Sequence, residues 1–216
     1  MRKLLFICIG AIALSTSSVS AQVLEEGNVN IDLYYGFPNL YNAVFRGLYG
    51  VGLEGDESYS TGGIGPIGIR GEYMLADKIG LGVDVAYSNA YVSYDYNTTI
   101  FNATTGVSIP VTYEEKFATT KIGAMVTFNY HFIDHDALDF YGMIGAGYKN
   151  RSFKYTTTDP AFNTSTDVFS LNATLIPVAF RLGVGLRYFF TDNFGLNMAV
   201  GFGQGSIING GISFKF

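Results

Sequence analysis

Ile176-Pro177-Val178-Ala179-Phe180-Arg181-Leu182-Gly183-Val184-Gly185-Leu186-Arg187-Tyr188-Phe189-Phe190 carries an apolar side chain at every second position, from Ile176 to Phe190. The positions between hold Ala179, Arg181, Gly183, Gly185, Arg187 and Phe189. Period two sends successive side chains to opposite sides of a strand, so one face is broad and apolar and the other is narrow and carries two arginines. Pro177 lies near one end, where a missing donor matters least. A soluble sheet must cover such an apolar face, whereas a barrel in lipid turns it outward.

The pattern repeats on both sides of this stretch. Thr191-Asp192-Asn193 is a short turn, after which Phe194, Leu196, Met198, Val200 and Phe202 continue the apolar face. Gln204 to Ser206 separates that strand from the last one, Asn209-Gly210-Gly211-Ile212-Ser213-Phe214-Lys215-Phe216, with Ile208, Ile212, Phe214 and Phe216 outward and Asn209, Ser213 and Lys215 inward. Towards the N-terminus, Phe140 to Tyr148, Ile122 to Phe132, Ile79 to Tyr87, Ile67 to Leu75 and Val29 to Tyr35 alternate in the same way. Eight strands result, and the last is expected to pair with the first, Val29 to Tyr35. The fold class is all-β, an eight-stranded antiparallel up-and-down transmembrane β-barrel.

Connections are long after the first, third and fifth strands, at 37–63, 91–115 and 152–172, and short after the second, fourth and sixth. The seventh is brief although it lies on the long side. Such asymmetry predicts extracellular loops on one side and periplasmic turns on the other, and an even strand count puts both termini in the periplasm. Tyr73, Tyr130, Phe132, Phe140, Tyr188, Phe190, Phe194, Phe214 and Phe216 fall near the short turns or the C-terminus on the apolar face, which predicts an aromatic girdle at the periplasmic interface. A lipocalin-like soluble barrel would invert the two faces, placing the apolar one around a ligand.

Composition agrees with strands: 27 Gly, 16 Tyr and 18 Phe, with no Trp and only 5 Pro. Met1 to Ala21 has Arg2 and Lys3, an apolar run from Leu4 to Leu14 and a small-residue end at Val19-Ser20-Ala21, and reads as a secretory signal peptide. Cleavage there leaves 195 of the 216 residues, one domain over 22–216. It also removes two of 13 basic residues, leaving 11 against 18 acidic ones and a net charge of −7, which argues against a nucleic-acid partner. Cys8 is the only cysteine and lies in the apolar run, so neither a disulfide nor a lipid anchor is expected.

The narrow face predicts charge chemistry inside the barrel. A three-residue turn at Ala76 to Lys78 sets Leu75 against Ile79 and therefore Arg70 against Asp84, an expected ion pair. Glu72, Lys121, Arg181 and Arg187, with Asp32, Lys149 and Arg151, point into the same lumen. Unpaired charges in so narrow a space cost several kcal/mol, so pairing is expected. Such a network is either a structural plug or a gate or proton path.

No cofactor, metal or catalytic residue is expected. His131 and His135 are the two histidines, and both fall near a short turn, whereas an outer-membrane hydrolase or lipid-modifying enzyme needs a His with Ser or Asp at the outer rim. Asp134-His135-Asp136 reads as a solvated turn. The Gly62 to Gly71 stretch lacks the Lys and helix of a phosphate loop and reads as strand. The Asn-X-Ser/Thr tripeptides starting at Asn97, Asn102, Asn163 and Asn172 indicate exposed polar loops.

The ending resembles the C-terminal assembly signal of bacterial outer-membrane barrels, with Asn209, Gly211, Phe214 and Phe216 at its defined places. With Phe180 to Asn193, the chain resembles the small outer-membrane β-barrel superfamily of OmpA and OmpX type over nearly all of its mature length, without a following peptidoglycan-binding domain. The resemblance implies a Gram-negative outer-membrane location and contacts with outer-membrane lipid, lipopolysaccharide and the barrel-assembly machinery. It also implies a role in envelope integrity, adhesion or resistance as a monomer. Three functions stand: a structural or surface-interaction barrel using the three long loops, a small porin-like pore, or a rim enzyme. For the first, Tyr41, Tyr49, Tyr59, Tyr94, Tyr96 and Tyr155 are candidate exposed contacts.

Overall fold

The computed structural model describes residues 24–49, 59–132, 135–162, 169–172 and 177–216. The expected signal peptide at 1–21 lies outside them, as do Ile133, Asp134, Ile176 and parts of two long connections. The strands are β1 (Val29–Phe37), β2 (Tyr59–Gly62), β3 (Ile67–Ala76), β4 (Ile79–Asn102), β5 (Val107–His131), β6 (Leu138–Thr157), β7 (Phe169–Asn172), β8 (Val178–Phe189), β9 (Phe194–Phe202) and β10 (Ile208–Lys215), with one helix, α1 (Leu40–Tyr49).

Eight of these strands form the wall. Neighbours run β4-β3-β1-β10-β9-β8-β6-β5, and β5 pairs with β4 to close the cylinder. Every pairing is antiparallel, and β10 meets β1 with Phe214 opposite Ile31 and Ile212 opposite Leu33. The closing pair expected from the two ends of the chain therefore forms. β2 pairs with β4 and β7 with β6, each continuing the wall beyond the ends of shorter neighbours.

The connections are more ordered than the polar sequence suggests. Residues 91–115 are mostly ladder, since Tyr91 pairs with Ala118 and the register continues to Asn102 opposite Val107, leaving a turn at 103–106. β4 is 24 residues long and β5 is 25, whereas about 9–11 residues cross a bilayer, so this hairpin projects well past the membrane. The 37–63 connection contains α1. Its N-cap is Asn39, whose Oδ1 accepts from the backbone N–H groups of Tyr41 and Asn42. Asn39 Nδ2 donates to the carbonyls of Ile64 and Asn89, tying the helix start to the wall.

Burial is inverted relative to a water-soluble barrel. Leu33, Ile69, Leu81, Val83, Val126, Leu182 and Met198 on the outer face are 41–58% exposed, while Asp32, Asp84 and Arg187 inside are 0% exposed. Water would penalise so wide an apolar exterior, and lipid does not. At the short-turn end the outer rings form a collar: Tyr130 touches Phe132, Phe132 touches Phe140, Tyr188 touches Phe190, and Phe190, Phe194 and Phe214 follow in sequence. No helix among the described residues is long and apolar enough to cross a membrane.

Candidate functional site: the ionic core of the barrel

The lumen is filled by a polar network whose charged members come from six strands. Inward positions on β1 supply Asp32 and Tyr34, β3 supplies Arg70 and Glu72, and β4 supplies Asp84. Asn129 and His131 come from β5, Asp139 and Tyr141 from β6, and Arg181 and Arg187 from β8.

Arg187 is the hub of the lower layer. Its Nη2 lies 2.9 Å from Asp32 Oδ2 and 2.7 Å from Glu72 Oε2, and its Nη1 donates to Asp139 Oδ2 at 2.9 Å. The guanidinium also stacks over the Tyr141 ring, 4.2 Å from its centroid. Asp32 is shared further, accepting from Arg70 Nη1 at 3.2 Å and from the Ser213 hydroxyl at 2.6 Å. Arg70 donates to the Tyr141 hydroxyl at 2.8 Å, and its Nε lies 3.5 Å from Asp84 Oδ2. That separation gives Coulombic attraction without hydrogen-bond geometry. Asp84 is bonded more directly by Arg181 Nη1 at 2.6 Å and by the Tyr34 hydroxyl at 2.6 Å.

Charge balance explains the histidine. The network holds four carboxylates, Asp32, Glu72, Asp84 and Asp139, and three guanidiniums. His131 sits between two of the carboxylates, Nδ1 at 2.6 Å from Asp139 and Nε2 at 3.0 Å from Glu72. A carboxylate accepts only, so the form that satisfies both contacts has a proton on each ring nitrogen, and the imidazolium supplies the fourth positive charge.

Interior glycines make room for these long side chains. A Cβ at Gly68 would run into the Tyr34 ring, and one at Gly185 into the Tyr141 ring. The poor side-chain content of the inward face is thus the complement of large residues on neighbouring strands.

The sequence-derived residues divide between two places. Arg70, Asp84, Glu72, Arg181 and Arg187 lie together in the network, with Arg70 directly opposite Asp84 in register. Lys121 does not join it, because its ammonium lies at the long-hairpin side and donates to the Gly203 carbonyl at 3.3 Å. Asp139, beside the short turn before β6, is the second residue of that strand and lies opposite Arg187. The outward Phe140 next to it is the signal that would have placed it inside. Alternation puts Tyr34 and Tyr141 on the inward face, but period alone does not reveal that their hydroxyls bond to charges across the lumen. Asn209 and Gly211 lie on β10 opposite Gly36 and Tyr34, and Phe214 lies opposite Ile31. Phe216 is outward, 67% exposed, and exchanges backbone hydrogen bonds with Val29.

The proposed loop aromatics are not all free surface. Tyr41 is half-buried, and its hydroxyl accepts from Arg151 at 2.5 Å. Tyr94 donates to Glu115, and Tyr155 packs on Phe117 with ring centroids 4.6 Å apart. Tyr59 and Tyr96 are exposed, and the side chain of Tyr49 lies outside the described residues.

A closed strand cylinder with an apolar exterior, an aromatic collar and a filled ionic interior defines a transmembrane β-barrel. The chain belongs to the outer membrane protein beta-barrel domain family, whose model matches residues 9–215, and its place is the bacterial outer membrane. Among solved structures it is similar to the N-terminal β-barrel domain of Pseudomonas aeruginosa OprF, at 14% identity and a TM-score of 0.44, covering 89% of this chain and 100% of that one. It is also similar to OprG from Pseudomonas aeruginosa, at 12% identity and a TM-score of 0.46 over 89% and 97% of the two chains. Outer membrane protein W of E. coli is similar at 15% identity and a TM-score of 0.39, over 89% and 99%. A search of curated proteins finds no match.

Proposed function

We propose that the protein is a non-enzymatic barrel that reinforces the outer membrane and makes surface contacts through its long hairpins. The observation that carries this reading is the plug. Arg70, Arg181, Arg187 and His131 are bound to four carboxylates across the full width of the lumen, and eight strands leave little space beyond side chains. The network links opposite walls, as a brace would, rather than lining a path. Contacts with a surface partner fall to the projecting β4–β5 hairpin, whose tip exposes Ile100, Phe101, Val107 and Ile109, and to Tyr59 and Tyr96. In this reading the hairpins face outward among lipopolysaccharide, and the short turns and both termini face the periplasm.

Planar-bilayer recording of the purified full chain tests the plug. Wild-type protein is expected to give no resolvable unit conductance. Reproducible steps from wild-type protein would overturn the reading in favour of a pore.

A further inference from the structure

Above the ionic core, towards the long hairpins, lies a second polar cluster that the plug does not use. Lys121 is 4% exposed, and its ammonium crosses the lumen to the Gly203 carbonyl and lies 5.9 Å from the Tyr41 ring centroid. Among the described residues Lys121 and Lys149 take part in none of the ion pairs, which include those of Arg70, Arg181, Arg187 and His131. Of the plug's carboxylates, the one that acts on Lys121 is Asp84. Asp84 is already held by Arg181 and Tyr34. Lys121 and Lys149 therefore have no carboxylate of their own among the described residues, while the plug below them is balanced.

Three buried polar side chains surround Lys121 without a hydrogen-bond partner: the Ser88 hydroxyl, the Thr119 hydroxyl and both amide atoms of Gln204. Their exposures are 2%, 4% and 3%. The register brings them to one level. Ser88 is the direct strand partner of Lys121, Thr119 is the next inward position on β5, and Lys149 pairs with Gly123, the inward position on the other side of Lys121. Gln204 follows Gly203, and its Oε1 would stand 3.4 Å from a Cβ at Gly123, which places the amide beside the strand that carries Lys121. The roof is α1, where Tyr41 packs on the Arg151 guanidinium at 4.4 Å.

An unpaired buried donor costs about 1–3 kcal/mol, and three of them around an uncompensated ammonium call for an acceptor that carries negative charge. Water satisfies hydroxyls and an amide but leaves the charge, and a metal cation would be repelled. We propose that this cluster binds an oxyanion of the phosphate type, with Lys121 and Lys149 as its charge partners and the Ser88, Thr119 and Gln204 side chains as its hydrogen-bond donors. The ligand is either free inorganic phosphate or the phosphate group of a small ester.

The test titrates inorganic phosphate into the full chain folded in a zwitterionic detergent, following backbone amide shifts by NMR against chloride at matched ionic strength. Saturable shifts confined to Ser88, Thr119, Lys121, Gly203 and Gln204 are expected, with affinity lowered about tenfold in Lys121→Gln and by a smaller factor in Thr119→Val. A parallel titration with a sugar phosphate separates the sources, because equal or tighter binding assigns an ester and binding of inorganic phosphate alone assigns the free anion. Absence of a saturable response in the wild type overturns the proposal. So does an undiminished response in a folded Lys121→Gln, with folding judged by heat-modifiable gel mobility. If that variant does not fold, the wild-type and Thr119→Val titrations decide on the same criteria.

Discussion

Arg187 touches three carboxylates at once, and no other residue type offers that geometry. Its planar fork satisfies Asp32, Asp139 and Glu72 from fixed directions while its face lies on Tyr141. Replacing it by Leu strands buried carboxylates without their partner, and the expected loss is about 3–5 kcal/mol. Lys restores the charge but not the fork, so Arg187→Lys is expected to lose about 1–3 kcal/mol. Equilibrium urea unfolding in micelles, followed by far-UV circular dichroism because the chain has no Trp, measures both. Equal losses for Leu and Lys would show that charge contributes nothing at this position. The inward parity of Arg187, Arg181, Arg70 and Asp84 is readable from alternation alone, because a strand has only two faces. Which carboxylate each cation meets across the lumen is not, since partners such as Asp32 and Arg187 lie 155 positions apart in the chain.

At the scale of elements, the β4–β5 hairpin shows how polar composition conceals order. Its Thr, Asn and Tyr residues lack an apolar face, because beyond the membrane neither side needs one, yet the backbone ladder continues to Asn102 and Val107. Replacing 98–111 with a two-residue Asn-Gly turn removes only projecting ladder, and the barrel should keep its fold with a stability change of under about 1 kcal/mol. Heat-modifiable mobility and unfolding midpoints check this, and a barrel that no longer folds would assign the extension a structural role. The helix α1 was illegible for a different reason. Ten residues containing Gly47 do not form a stable helix by propensity, and the N-cap at Asn39 acts together with anchors to Ile64 and Asn89 that only the folded barrel supplies. Asn39 after Pro38 was its one local signal.

For the whole molecule, orientation follows from the contrast between long hairpins and short turns. Whole cells treated with protease are expected to release fragments cut within 37–63, 91–115 and 152–172, with no cuts at 76–79 or 190–194. Cleavage at the short turns in intact cells would reverse the topology. The alternation of Val178 to Phe189 and its repeats determined the strand number, the two faces and the closed barrel, because lipid outside and a narrow lumen inside impose opposite demands on neighbouring residues. Tertiary structure alone decided that His131 and Asp139 complete the charge balance, that α1 roofs the lumen, and that Lys121 stands apart from the plug. Strand period fixes the side of the wall on which a residue lies, while the stagger of eight strands and the length of each side chain set its height and its partners across the barrel.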